Sequence, residues 1–239
     1  MAILHVQPTP SEVVAELADL LVIWATEAIS ARGWFSWALS GGSTPQRLYE
    51  LLHEEPWLSR FPWASTDLYW GDERDVPPTH GDSNFGAANR TLLRHLPKPP
   101  HLIHRWMTEY DPPAALADYR AKLYPWLQDG LPQLDLVLLG IGPEGHTASL
   151  FPESPALDSR DWVAHVWVKI HRSWRFTMTL PVINHARHVA FLVTGKDKRA
   201  IVQTIRQSPP NVHWPASLVQ PTGGSLHWFL DEAALPGSI

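Results

Sequence analysis

Strand-like and helix-like segments alternate along most of the chain, and this alternation constrains the fold more than any other feature of the sequence. An apolar run such as residues 134–139 is typical of a strand that is buried on both faces of a parallel sheet. Strands that alternate with helices predict an α/β fold, Rossmann-like, with a mostly parallel central sheet flanked by helices. Ligands bind to such folds beyond the carboxyl ends of the strands, so the loops after strands are the places to look for chemistry.

Local patterns indicate where these elements lie. Thr9, Pro10 and Glu12 form the pattern of a capped helix start, and Thr44 with Pro45 starts a second helix. We predict strands at 35–39, 67–70, 102–104, 134–139, 162–168, 176–180, 189–194 and 226–229, and helices from residue 10, from residue 44, after residue 83, and at 113–127 and 197–207.

Composition narrows the classes of protein that remain. The 239 residues contain no linker-like tract, so we expect a single domain over 1–239. The absence of cysteine excludes disulfides, thiolate metal ligands and a thiolate nucleophile. A net charge of -5 argues against nucleic-acid binding but allows a small basic pocket. The amino-terminal residues lack a signal-peptide pattern and no segment has the length of a membrane span, so we expect a cytoplasmic protein without a membrane partner.

Three loops follow predicted strands. The first, at 40–45, contains Gly41, Gly42, Ser43 and Thr44 directly before a helix, which suits a phosphate; the same residues could simply turn the chain and cap the helix. The second, at 70–76, places Asp72, Glu73 and Asp75 around Arg74, and the alternative is a solvated surface loop. Both interpretations of each loop remain open at this stage.

The third loop, at 140–152, contains G-x-G-x-x-G after a strand. A dinucleotide-binding turn should open a long helix, but Pro152 cuts the next segment short and Pro143 removes an N–H from the turn. What remains is a glycine-rich loop that presents Glu144 and His146. We interpret His146 as the best general-base candidate among the thirteen histidines, although a lone histidine is more often structural.

Basic residues also follow or begin later strands. Arg175 begins one strand, and Lys198 lies in a first helical turn, where the helix dipole disfavours a cation unless an anionic ligand recruits it. The pairs His101/His104 and His185/His188 have helical metal-site spacing, but we interpret them as structural.

Five segments resemble, in order, the successive motifs of the 6-phosphogluconolactonases: SGGSTPQRLYELL, WGDERDVPPTHGDSNF, DLVLLGIGPEGHTASLFP, RFTMTLPVIN and VTGKDKRAIV. The resemblance covers about residues 10 to 230. It implies an α/β fold related to sugar-phosphate isomerases and the hydrolysis of 6-phospho-D-glucono-1,5-lactone, with no metal and no cofactor. The implied partner is the small sugar-phosphate lactone, and we expect a monomer.

The resemblance also implies roles for individual residues. The catalytic residues would be His146 as the base, with Glu144 and Asp72 orienting it or binding sugar hydroxyls. Glu144 stands where the family usually has aspartate. Glucosamine-6-phosphate deaminases share similar loops, but Arg74 replaces their usual tyrosine; a deaminase-like isomerase and a non-catalytic sugar-phosphate binding protein are the alternatives. The substrate-binding residues would be Gly41, Gly42, Ser43, Thr44, Arg74, Arg175 and Lys198.

Overall fold

Helices and strands alternate along the chain as the sequence predicts. The structure is a computed structural model that describes residues 2–235. The helices are α1 (Pro10–Arg32), α2 (Ser43–Leu52), α3 (Trp57–Arg60), α4 (Asn84–Thr91), α5 (Pro112–Leu123), α6 (Leu180–Ile183) and α7 (Arg199–Gln207). The strands are β1 (Ile3–Gln7), β2 (Phe35–Leu39), β3 (Thr66–Trp70), β4 (Asp72–Arg74), β5 (Leu102–Ile103), β6 (Leu127–Gln128), β7 (Leu131–Pro132), β8 (Leu136–Leu139), β9 (Val163–Val168), β10 (Ser173–Met178), β11 (His188–Val193) and β12 (Ser225–Asp231).

The central sheet of the described residues has seven strands in the order β1-β12-β11-β8-β2-β3-β5, and its paired strands are all parallel. This arrangement confirms the predicted fold class. β8 lies at the centre, and its four residues are all buried, as expected for an apolar strand covered on both faces. The sequence did not predict the edge strand β1, because Ile3 and Leu4 are exposed and the strand shows no clear alternation of apolar and polar residues.

A second, antiparallel sheet of three strands, β4-β10-β9, lies apart from the central one in the described structure. The predicted strands at 162–168 and 176–180 are therefore present, shifted by a few residues, but outside the parallel sheet. β4 was predicted to be part of a loop, and its pairing with β10 explains the difference, since Asp72–Arg74 is too short to be recognised as a strand from its sequence alone.

Local side chains determine where α1 begins and where α5 ends. The capping box at the start of α1 is present: Thr9 Oγ1 accepts a hydrogen bond from the Glu12 N–H, and the Glu12 carboxylate accepts one from the Thr9 N–H. The helix predicted to reach residue 127 ends at Leu123, because Pro125 cannot continue the α-helical hydrogen bonds.

Within residues 2–235, no helix combines the length and apolar character needed to cross a membrane.

A cluster of histidines, defined by His5, His188 and His227, joins β1, β11 and β12 to α1. His5 Nε2 lies 3.1 Å from His227 Nδ1, and both His188 and His227 contact the Ser225 hydroxyl at 2.8 Å. Trp24 stacks on His188 with ring centroids 4.6 Å apart. Burial, followed by the proximity of His188 and His5, lowers the pKa of His227 from 6.5 to about 4.

This cluster predicts that mild acid destabilises the protein. Because His227 binds a proton less readily when folded than when unfolded, stability that is present above pH 6.5 is lost as the pH falls toward 4. The free energy of unfolding should fall by about 2 kcal/mol between pH 7.5 and pH 5 from the titration of His227 alone. Urea unfolding at pH 7.5 and pH 5 measures it. The variant His227→Asn should lose much of the pH dependence, whereas His213→Asn at an exposed site should keep it; equal pH dependence in both variants would contradict the assignment.

Candidate active site

A cavity of about 220 Å³ opens at the carboxyl ends of the central strands, as expected for an open parallel sheet. The loops after β2, β8 and β11 form much of its wall, together with β4 and β10. Nine of the ten candidate residues from the sequence line this cavity; Glu144 is the exception and borders a neighbouring cavity. The nine are Gly41, Gly42, Ser43, Thr44, Asp72, Arg74, His146, Arg175 and Lys198.

The loop after β2 presents the amino terminus of α2 to the cavity. No side chain caps this helix, and the backbone N–H groups of Gly42, Ser43 and Thr44 have no acceptor among the described residues. Gly41 must be glycine, because a Cβ there would overlap the Asn84 side-chain amide that lies against it. Unpaired N–H groups together with the positive end of the helix dipole form a site for an anion.

The loop after β8 holds His146 in one position. The Gly142 N–H donates to the His146 carbonyl at 2.9 Å, and the imidazole lies against Gly142, where a Cβ would overlap the ring. Phe151 stacks on the other side of the imidazole with a centroid distance of 3.8 Å. The ring is thus fixed between two surfaces, which accounts for the glycine at position 142.

Glu144 determines which nitrogen of His146 is free. His146 Nδ1 lies 3.0 Å from Glu144 Oε2, so an ionised Glu144 accepts a hydrogen bond from the Nδ1–H group and favours the tautomer in which Nε2 carries no proton. The extra methylene of glutamate, compared with the aspartate usual in the resembling family, still permits this contact. Glu144 borders the neighbouring cavity and does not line this one, so the structure places it in contact with His146.

The environments of both groups favour this protonation pattern. Burial lowers the pKa of His146 below its usual value, against the opposing effect of the Glu144 carboxylate. Burial acts to raise the pKa of Glu144, but a backbone hydrogen bond and the contact with His146 outweigh it, and the net shift is downward. At neutral pH His146 is therefore a neutral imidazole beside an ionised carboxylate.

Asp72 is buried at the base of the cavity and does not contact His146 directly. Its carboxylate accepts hydrogen bonds from Ser149 Oγ at 2.7 Å and from Asn84 Nδ2 at 3.2 Å. The neighbouring Glu73 accepts backbone N–H groups of Arg74, Asn84 and Phe85. Glu73 therefore anchors the start of α4, while Asp72 remains at the cavity wall.

Three cations line the cavity without a carboxylate partner among the described residues: Arg74, Arg175 and Lys198. Arg74 and Arg175 are directly opposite each other in the β4–β10 ladder. Like charges at opposed positions destabilise a sheet. Burial lowers the pKa of Arg175, with Asp72 opposing and Arg74 adding to the shift. Lys198 Nζ donates to the Ile141 carbonyl at 3.0 Å, which holds it beside the His146 loop.

Sequence reasoning missed three polar residues that the fold brings to the site. Asn84 and Thr194 line the cavity, and Thr194 Oγ1 lies 3.3 Å from Thr44 Oγ1. Ser149 is the hydrogen-bond donor to Asp72. Thr194 directly follows β11, so its position at the end of a predicted strand could have identified it as a candidate site residue. Trp70, the first residue of the loop at 70–76, is buried and packs on Phe85.

The histidine pairs singled out by their spacing lie elsewhere. His101 Nδ1 lies 2.7 Å from Asp67 Oδ1, and His188 belongs to the histidine cluster. Across residues 2–235, no group of three or more His, Cys, Asp or Glu side chains is arranged to hold a metal ion.

These features define a class of α/β proteins in which an uncapped helix terminus, three cationic side chains and a histidine line one cavity at the carboxyl edge of a parallel sheet. Residues 8–228 match the family model of the glucosamine-6-phosphate isomerases/6-phosphogluconolactonase. The chain belongs to this family, which confirms the resemblance seen in the sequence.

Individual relatives cover nearly the whole chain. A 6-phosphogluconolactonase of Nostoc sp. is 38% identical over 235 residues, which span 96% of this chain and 95% of that protein. The 6-phosphogluconolactonase of Trypanosoma brucei has a solved structure with a TM-score of 0.85 and 28% identity, covering 98% of this chain and 97% of that one. A monomeric glucosamine-6-phosphate deaminase has a TM-score of 0.79 at 17% identity, which shows a shared fold alone.

Proposed function

We propose that the protein is a 6-phosphogluconolactonase that hydrolyses 6-phospho-D-glucono-1,5-lactone to 6-phospho-D-gluconate in the oxidative pentose phosphate pathway. The observation that carries the proposal is the combination, in one cavity, of the free Nε2 of His146 with three unpaired cations and an uncapped helix terminus. A phosphorylated lactone has the matching chemistry, since it carries a phosphate and an electrophilic carbonyl. The relatives named 6-phosphogluconolactonase support the same assignment.

The geometry supports a general acid–base mechanism. Neutral His146 takes a proton from a water molecule through Nε2 as the water oxygen attacks the lactone carbonyl carbon C1. A cationic side chain stabilises the oxyanion that forms on C1. The bond between C1 and the ring oxygen then breaks, and the imidazolium returns its proton to that oxygen. Glu144 accepts the hydrogen bond from Nδ1–H throughout and stabilises the transient imidazolium, as a positioning residue.

The anionic end of the substrate requires fixed donors. The N–H groups at the start of α2 and the Ser43 and Thr44 hydroxyls suit phosphate oxygens, while Arg74, Arg175 and Lys198 hold the remaining phosphate and sugar oxygens. Asp72, bound by Ser149 and Asn84, is placed to accept a hydrogen bond from a sugar hydroxyl.

A direct assay tests this function. Glucose-6-phosphate dehydrogenase generates the lactone, and its decay is followed by proton release with and without the protein. We expect decay faster than the spontaneous rate, and no ammonia from glucosamine 6-phosphate. Ammonia release would identify a deaminase, and binding of 6-phosphogluconate without faster decay would identify a non-catalytic sugar-phosphate binding protein.

The role of Glu144 predicts a change in pH dependence. Replacement of Glu144 by glutamine removes a charge that raises the pKa of His146, so the acid limb of the kcat/KM profile should move to lower pH. Activity at pH 7.5 should fall by roughly tenfold, because the imidazolium loses its carboxylate partner. The control Glu153→Gln, at an exposed glutamate just after this loop, should keep the original profile. A purely structural Glu144 would lower activity without moving the acid limb.

Cellular location and assembly remain predictions. We propose a cytoplasmic monomer that forms one domain over residues 1–239, from the sequence patterns described above. Two relatives are named as an endoplasmic and a chloroplastic protein, so similarity to these relatives does not by itself assign a compartment. Cell fractionation and analytical ultracentrifugation test the two predictions.

A further inference from the structure

A second cavity, of about 480 Å³, lies at the opposite edge of the central sheet, where the parallel strands begin. Trp34 precedes β2, Leu102 begins β5 and Arg187 precedes β11, and all three line the cavity. The five residues of β2 separate this edge from the candidate active site by about 16 Å. Its volume lies within the range of about 300 to 1,000 Å³ that is typical of small-molecule sites.

Flat aromatic rings form part of its wall. Trp34 stacks on His101 with centroids 4.0 Å apart, and 40% of Trp34 remains exposed. Tyr69 stacks on His104, and its hydroxyl accepts a hydrogen bond from Trp126 Nε1 at 2.7 Å. Tyr69 itself is buried, so the exposed part of Trp34 is the surface that remains for a planar ligand, and its stacking on His101 holds it in place at little entropic cost.

Two guanidinium groups and a single carboxylate meet beside the same cavity. Asp135 is buried, and its carboxylate already accepts hydrogen bonds from the Ser36 N–H, the Ser36 hydroxyl and Arg32 Nη2. Arg187 Nε lies 3.5 Å from the same carboxylate, a distance too long for a good hydrogen bond. Two guanidinium groups thus share one carboxylate, and about a third of each side chain is exposed.

The other carboxylate that lines the cavity, Asp67, forms no ion pair with Arg32 or Arg187 in the described structure. Asp67 is occupied by His101 Nδ1 at 2.7 Å, and the remaining hydrogen bond of Arg187 is to the neutral amide oxygen of Gln128. Burial and the nearby Arg32 lower the pKa of Arg187, against the opposing effect of Asp135. An anion that contacts both guanidinium groups would supply a second negative charge beside them.

We propose that this cavity is a second ligand site, for a planar aromatic ring that carries an anionic group, the chemistry of a mononucleotide. The ring stacks against the wall that contains Trp34, and the anionic group binds Arg32 and Arg187. The site is separate from the candidate active site, since none of its lining residues lines that cavity.

Isothermal titration calorimetry with AMP tests the proposal. We expect AMP to bind in the presence of saturating 6-phosphogluconate, and adenosine or ribose 5-phosphate alone to bind at least tenfold more weakly, since each lacks one of the two recognised groups. Absence of AMP binding at 10 mM, or displacement of AMP by 6-phosphogluconate, would overturn the proposal.

Variants locate the binding. Arg187→Gln and Trp34→Ala should each weaken AMP binding by about tenfold, whereas Arg206→Gln, at an exposed arginine of α7, should not change it. Circular dichroism and the unfolding midpoint check that each variant folds. Since Trp34 is partly exposed, Trp34→Ala remains informative if Arg187→Gln is unstable. AMP affinity that survives both substitutions would place the ligand elsewhere and refute the assignment.

Discussion

Replacing His146 with glutamine should lower kcat/KM for lactone hydrolysis by roughly 10²- to 10⁴-fold, the usual contribution of a positioned general base. Glutamine retains a polar side chain of similar size between Gly142 and Phe151 but cannot take a proton from water. The loop backbone is held by the Gly142 N–H and by the Gly145 carbonyl, which accepts from the Ala216 N–H, so the fold should persist.

His171→Gln is the matched control. His171 is exposed and lies near Phe151, but it does not line the cavity, so its replacement should leave kcat/KM nearly unchanged. The lactone also hydrolyses without enzyme, and the spontaneous rate must be subtracted from each measurement. A His146→Gln variant with wild-type kcat/KM and a native circular dichroism spectrum would refute the general-base mechanism.

The same residue shows why part of the site was predictable from sequence. His146 follows an apolar strand, and the carboxyl ends of parallel strands meet at one edge of a sheet. The loops at 40–45 and 140–152 therefore had to converge once the strand and helix alternation was recognised. Local patterns also fixed the start of α1, because capping is decided by residues three positions apart.

Features that depend on long-range pairing could not be predicted in this way. Arg74 and Arg175 are about a hundred positions apart, and only the antiparallel register of β4 and β10 places them opposite each other. The contact of Asp72 with Ser149 depends on the same packing. The second cavity is lined by residues as far apart in the sequence as Arg32 and Arg187, so no local sequence pattern predicts it.

The opposed arginines lead to a prediction that separates function from stability. Arg175→Met should raise KM for the lactone by roughly 10- to 100-fold, the loss expected for a hydrogen bond to a charged group worth about 1.5–3 kcal/mol. The kcat should change less than KM if Arg175 binds substrate equally in the ground and transition states. Steady-state kinetics over a wide substrate range measures both quantities.

The same substitution should not destabilise the protein, although Arg175 is buried. Methionine fills a similar volume. Its introduction loses the attraction to Asp72 but removes the desolvation cost of the buried cation and the repulsion from Arg74 across the ladder, the latter worth about 0.2–1 kcal/mol; the lowered pKa of Arg175 indicates that the unfavourable effects are the larger. The unfolding midpoint without ligand should therefore stay constant or rise by a few degrees. The control Arg160→Met, at an exposed arginine, should change neither KM nor the midpoint. A variant with lower stability and unchanged KM would show that Arg175 supports the sheet and does not bind the substrate. Weaker substrate binding with undiminished stability is the result expected of a residue that is kept for its ligand.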